Sequence, residues 1–183
     1  MIFFGHIGIT LLFGFLVFGA LKEKIDYRFL IVGALLPDMI DKPVGHYIFF
    51  ETFQNGRIFS HTLAFVALLT LVALYAEKKY RFTGMSVLAL GALMHIAEDQ
   101  MWNMRETLFW PAFGLEFPRM DLSNYSGYLF YVLTHEPDAY IPEIAGLLII
   151  AVFVYKFRLY QPGRVFSYMR QGWIPAREER ATS

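Results

Sequence analysis

The sequence predicts an all-α fold, a polytopic membrane helix bundle of about five hydrophobic helices with the second one short. Three observations carry this reading. Hydrophobic residues make up 56% of the 183 and charged residues 17%, with a mean hydropathy of +0.42, whereas a water-soluble domain carries about a quarter charged residues. The apolar residues gather in five runs separated by polar or proline-containing connections. Lys and Arg crowd into alternate connections, as expected when those connections lie on the inner side of a membrane. Phe and Tyr, 19 and 11 in number, suit aromatic belts at the two interfaces.

The first run, residues 3–21, is nearly all apolar. About 19 residues rising ~1.5 Å each cross a hydrocarbon core. The run lacks the basic start and small-residue cleavage site of a secretory signal, so it is expected to persist as a helix. Gly5, Gly8, Gly14 and Gly19 offer small surfaces for a neighbouring helix, and His6 is its strongly polar side chain. The second run, 29–40, is about a dozen residues and carries Pro37 and Asp38, with Asp41 close behind. Twelve residues reach only ~18 Å of a ~30 Å core. Its carboxylate end therefore stays sunken, beside protein or a wet cavity. Residues 42–60 read as a mixed loop containing His46 and Arg57 with a turn at Asn55-Gly56. The third run starts at His61 and the fourth spans 82–97. Residues 98–141 read as an outer segment with interfacial pieces, and the fifth run is 144–157. A membrane domain over 1–160 is followed by a basic tail, 161–183, suited to anionic headgroups.

Connections 22–28 and 77–81 and the tail after 156 are rich in Lys and Arg, while 42–60 and 98–141 are not. Five crossings with the N-terminus outside and the C-terminus inside satisfy every one of these biases. Under that topology His6, Asp38, Asp41, His61, His95 and Asp99 all fall at the outer face. By helix rise, His95 lies ~20 Å from the inner end of its span, which places the group in a pocket below the surface.

Net charge is zero, which gives nucleic acid no global attraction. With no cysteine, any metal must be held by His, Asp or Glu. Taken singly, each polar residue has a bland reading: an interfacial histidine, a solvated helix stop, or a His95–Asp99 hydrogen bond locking helices four residues apart on one face. Taken together, three imidazoles and two or three carboxylates match a hard-to-borderline divalent metal such as zinc, as one ion with a general base or as two ions. Glu98 points about 100° away from His95 and reads as a supporting or exposed group. Arg57 is either a surface cation or a holder of an anionic phosphate. His46 reads as a loop residue and His135 as a further candidate for the site.

His6 after Gly5, Gly33-Ala-Leu-Leu-Pro-Asp-Met-Ile-Asp-Lys-Pro43, Gly56-Arg-Ile-Phe-Ser-His61, Gly91-Ala-Leu-Met-His-Ile-Ala-Glu-Asp99 and Phe109-Trp-Pro111 resemble the LexA-regulated membrane-bound predicted metal-dependent hydrolases over about residues 5–115. Many members have a histidine where this chain has Asn55. The order of these motifs is more distantly similar to zinc-dependent phospholipase C, whose later histidine ligands have here only His135 as a counterpart. The resemblance implies that His6, Asp38, His61, His95 and Asp99 are metal ligands.

The expected function is that of an inner-membrane metal-dependent hydrolase with its site on the extracytoplasmic side. It would act on a lipid-borne or interfacial ester, with a phosphoester as the leading candidate. Asp38 or Asp41 would orient or deprotonate a water activated by one or two divalent ions, most simply Zn2+, and Arg57 would neutralise phosphate. Its partners would be membrane lipid and a lipid-like substrate, with no nucleic acid. The alternatives are a non-catalytic metal-binding or transporting protein, which would need a polar path inward, and a structural protein whose polar cluster locks helices.

Overall fold

Among the described residues, 1–120 and 124–172, the computed structural model is all-helical. Its helices are Phe4–Leu21 (α1), Tyr27–Pro43 (α2), Phe50–Phe53 (α3), Leu63–Tyr80 (α4), Gly84–Glu98 (α5), Arg105–Leu108 (α6), Tyr125–His135 (α7), Pro137–Lys156 (α8) and Pro162–Gln171 (α9). A π-helical turn, Val44–Ile48, extends α2, and 3-10 turns at Phe59–His61 and Met101–Asn103 lead into α4 and α6. α1 and α8 are long and apolar enough to cross a membrane by length and composition.

Each expected apolar run is helical, but several bounds differ. α2 runs on through Pro37 to Pro43 instead of stopping at residue 40. A proline ring crowds the carbonyl four residues back, and here that residue is Gly33, which carries no side chain of its own to add to the crowding. The 42–60 loop is largely helical, and α4 starts two residues after His61, with Thr62 Oγ1 accepting the Phe65 amide (3.0 Å) as its N-cap. α8 begins seven residues before its expected start. Residues 125–135, expected within an outer loop, form α7, and 162–171 of the tail form α9. The rest of the basic tail, with Arg177 and Arg180, lies outside the described residues.

Two close crossings organise the bundle. α1 meets α8 at Gly8 and Gly146, where a side chain on either glycine would collide with the backbone opposite. α2 meets α5 at Gly33 and Gly91 in the same way. Such small-residue contacts let apolar helices pack backbone to backbone without a hydrophobic driving force between them. Leu11, Ile25, Tyr27, Leu30, Val87 and Phe153 form the main apolar core. Large apolar side chains such as Leu71, Leu148 and Val152 are more than half exposed, as lipid-facing positions would be.

α1 and α8 both start near one end of the bundle, because the Glu143 carboxylate accepts the amides of Ile2 (2.6 Å), Phe3 (3.1 Å) and Phe4 (2.8 Å). Those are orphan donors at the start of α1, and a buried carboxylate from another helix satisfies them. At the opposite end, Arg28 donates to the Met169 carbonyl (2.6 Å) and the Tyr27 amide to that of Gly172 (2.9 Å), fastening α9 beneath the α1–α2 turn.

Candidate functional site

Four elements deliver polar side chains to the end of the bundle where α1 begins. α1 contributes His6 one turn in. α2 contributes Asp38 and Asp41 near its end. The 3-10 turn before α4 contributes His61, and α5 with its following turn contributes His95, Glu98 and Asp99. His6, His61, His95 and Asp41 have no solvent exposure.

The three imidazoles are oriented alike. His95 donates its Nδ1 proton to the Ala34 carbonyl (2.7 Å). His61 Nδ1 faces Asp41 Oδ2 (2.7 Å) and His6 Nδ1 faces Glu98 Oε2 (2.8 Å), while Glu98 Oε1 also accepts from Thr10 Oγ1 (2.8 Å). A carbonyl can only accept, so neutral His95 has its lone pair on Nε2. The carboxylates favour the same tautomer for the other two rings.

All three Nε2 atoms therefore turn their lone pairs inward. His61 Nε2 and His95 Nε2 stand 3.2 Å apart. Two lone pairs at that distance repel unless a proton or a cation lies between them. His6 Nε2 is buried with no hydrogen-bond partner, although Asp99 Oδ1 is 3.3 Å away. Asp38 Oδ1 lies 3.6 Å from His61 Nε2 and 3.9 Å from His95 Nε2. Two overlapping groups, His6–Asp38–His95 and His61–His95–Asp99, each bring three donor atoms within 4.8 Å of one another, close enough to hold a metal ion.

The cluster is closed by cations on its side toward the end of the bundle. Lys42 Nζ binds Asp38 Oδ2 (2.6 Å), Arg57 Nε binds Asp99 Oδ2 (2.8 Å), and the Met1 amino group binds Asp99 Oδ1 (2.8 Å). Burial pushes the Asp99 carboxyl up, but the His6 imidazole, the Arg57 guanidinium and the terminal amine hold it well below the usual carboxylate range.

The structure thus brings His6, Asp38, His61, His95 and Asp99 together, with Arg57 beside them. It gives Asp41 a different part from that of a water-activating base. Its carboxylate accepts the Ile58, Ser60 and His61 amides (2.7, 3.0 and 3.2 Å) besides the His61 ring, with no exposure left for a water. His135 stacks on Tyr131 (4.8 Å between centroids) and takes no part in the cluster. His46, Lys42 and Arg57 line a cavity of about 390 Å³ above it. Sequence reasoning missed Lys42 and Glu143. The signal for Lys42 was its spacing four residues after Asp38. The signal for Glu143 was a lone carboxylate leading an apolar run.

No curated protein and no solved structure matches the chain. The family model described as YdjM inner membrane protein matches residues 1–165. By that match over most of its length, the chain belongs to the YdjM inner membrane protein family.

Proposed function

We propose that this inner membrane protein is a metal-dependent hydrolase acting on a lipid-borne or interfacial ester, with a phosphoester as the leading substrate. The observation that carries the proposal is the inward convergence of three imidazole Nε2 atoms whose Nδ1 atoms are all engaged. A tetrahedral zinc site with bonds of about 2.0–2.1 Å separates its ligands by ~3.3 Å. The 3.2 Å between His61 and His95 and the 3.3 Å between His6 and Asp99 suit that spacing. A nitrogen and oxygen donor set without thiolate suits zinc or a neighbouring divalent metal, as one ion or two.

When bound, such an ion supplies Lewis acidity that polarises an ester and acidifies a water. Asp38 takes up the proton of the attacking water and returns it to the leaving alkoxide, with Lys42 fixing its other oxygen. Arg57, 29% exposed at the cavity floor, steadies negative charge on the ester. Glu98, Asp41 and the Ala34 carbonyl hold the three rings in their tautomer.

The proposal includes five crossings, by α1, α2, α4, α5 and α8, with the cluster at the outer face. Basic residues at the far ends, Lys22, Arg81 and Lys156 among them, support that orientation. Lys42, Arg57, Arg105 and Arg119 depart from the bias, and the first two are ion-paired to the cluster. Transport would need polar groups continuing inward. Below the cluster lie Leu11, Leu30 and Val87, and the Thr70 hydroxyl bonds back to the Val66 carbonyl (2.7 Å).

The test is hydrolysis of a panel of phospholipids and carboxylic esters by purified protein beside His95→Ala and Asp38→Ala. Metal-dependent turnover lost in both variants is expected. Stoichiometric metal without turnover on any member would move the reading to a non-catalytic metal-binding protein.

A further inference from the structure

The cavity of about 390 Å³ above the cluster has two unlike sides. Its floor carries Lys42 and Arg57, each bound on one side to a cluster carboxylate and each still about a third exposed. Its far wall, from α7 and the start of α8, carries Tyr128, Tyr131, Glu136 and Asp138, all exposed. α7 packs chiefly on α8, and none of its described side chains is buried. It stands as a separate wall, with Leu129 and Val132 facing the cavity and Phe130 exposed.

We propose that this cavity is the headgroup subsite for a phospholipid bearing a primary ammonium. The inference deepens the hydrolase reading and rests on it for the chemistry, while the recognition argument stands on the lining alone. Phosphate is placed by the floor, where a guanidinium and an ammonium offer charge-assisted hydrogen bonds. The headgroup ammonium is placed by the Glu136 and Asp138 carboxylates and the faces of the two tyrosines. A purely anionic headgroup would set its charge against those two carboxylates without recompense. The volume falls in the range of small-ligand pockets, so headgroup and glycerol fit while acyl chains leave along the apolar side of α7. Hydrolysis at such a subsite cleaves a phosphate or acyl ester bond with water as co-reactant, and needs no other reagent.

The experiment is calorimetric titration of the full-length, metal-assayed protein with short-chain phosphatidylethanolamine and with phosphatidylglycerol of the same chains. About tenfold tighter binding of the ethanolamine lipid is expected, the worth of one charge-assisted contact. The Glu136→Gln/Asp138→Asn pair is expected to erase that preference, by weakening the ethanolamine lipid and tightening phosphatidylglycerol as the repulsion is relieved, and to leave metal content unchanged. Lys42→Gln weakens both lipids. Equal affinity for the two lipids, or a preference that survives the double substitution, overturns the subsite. A preference found in protein that carries no metal upholds the subsite and removes the hydrolase reading. Metal-loaded protein without the preference overturns the subsite and leaves the hydrolase reading to its turnover test.

Discussion

His61 Nε2 and His95 Nε2 face each other at 3.2 Å, and each ring is turned that way by a hydrogen bond at its Nδ1, to Asp41 and to the Ala34 carbonyl. Two imidazoles from different elements are thereby held nitrogen to nitrogen in a fully buried site. A shared cation would relieve the repulsion between their lone pairs.

The supporting carboxylates set ring orientation and basicity, so their loss is felt through the rings. Asp41→Asn and Glu98→Gln are each expected to weaken metal affinity by about 10–100-fold while the helices persist. Competition against a fluorescent chelator reads this directly. Unchanged affinity in both variants would remove the supporting role. Asp41→Asn has a second cost, because its oxygens hold three backbone amides of the 57–61 turn.

Glu143 caps α1 from another helix. Glu143→Leu leaves the amides of Ile2, Phe3 and Phe4 without an acceptor and is expected to cost about 1–3 kcal/mol. Glu143→Gln keeps one acceptor oxygen and should recover part of that loss. Unfolding in mixed micelles, followed by circular dichroism, distinguishes the two. Equal stability of both variants and the unmutated protein would show that the cap contributes nothing.

The α1–α8 crossing requires glycine. Gly146→Leu forces apart the backbones at Phe4 and Gly5 and is expected to destabilise by on the order of 3 kcal/mol. Because α1 carries His6, metal affinity should fall with it. Gly19→Leu, at a position open on all sides, is the control and should be silent.

Orientation is directly accessible because the chain has no cysteine to remove. A cysteine replacing Tyr47, 76% exposed near the cluster, should react with an impermeant maleimide from outside. One replacing Tyr80, 63% exposed at the far end, should react only after permeabilisation. The opposite pattern would invert the proposed topology.

The helices and the cluster were legible in the sequence for the same reason. Long apolar runs are local signals, and a histidine or aspartate interrupting one stands out against them. The ends were less legible. α2 passes Pro37 because its tertiary partner is close-packed there, which no local pattern reports. α7 and α9 are short, so their periodicity is submerged in segments that read as loop and tail. Asp41 looked equivalent to Asp38 in the sequence. Only the fold of the 57–61 turn around it separates a carboxylate committed to backbone amides from one left facing the His61 and His95 rings. Glu98 reads from its helix angle as a supporting or exposed group, and its partner His6 lies 92 residues away, beyond any spacing rule.

The central claim, that the converging imidazoles hold a metal, is tested most directly by elemental mass spectrometry on the purified protein beside His95→Ala. One or two equivalents of a divalent metal, zinc foremost, are expected in the unmutated protein and a loss to background in a variant whose circular dichroism is unchanged. Unmutated, folded protein that carries no metal after purification without chelator, and takes up none on dialysis against zinc, would contradict it.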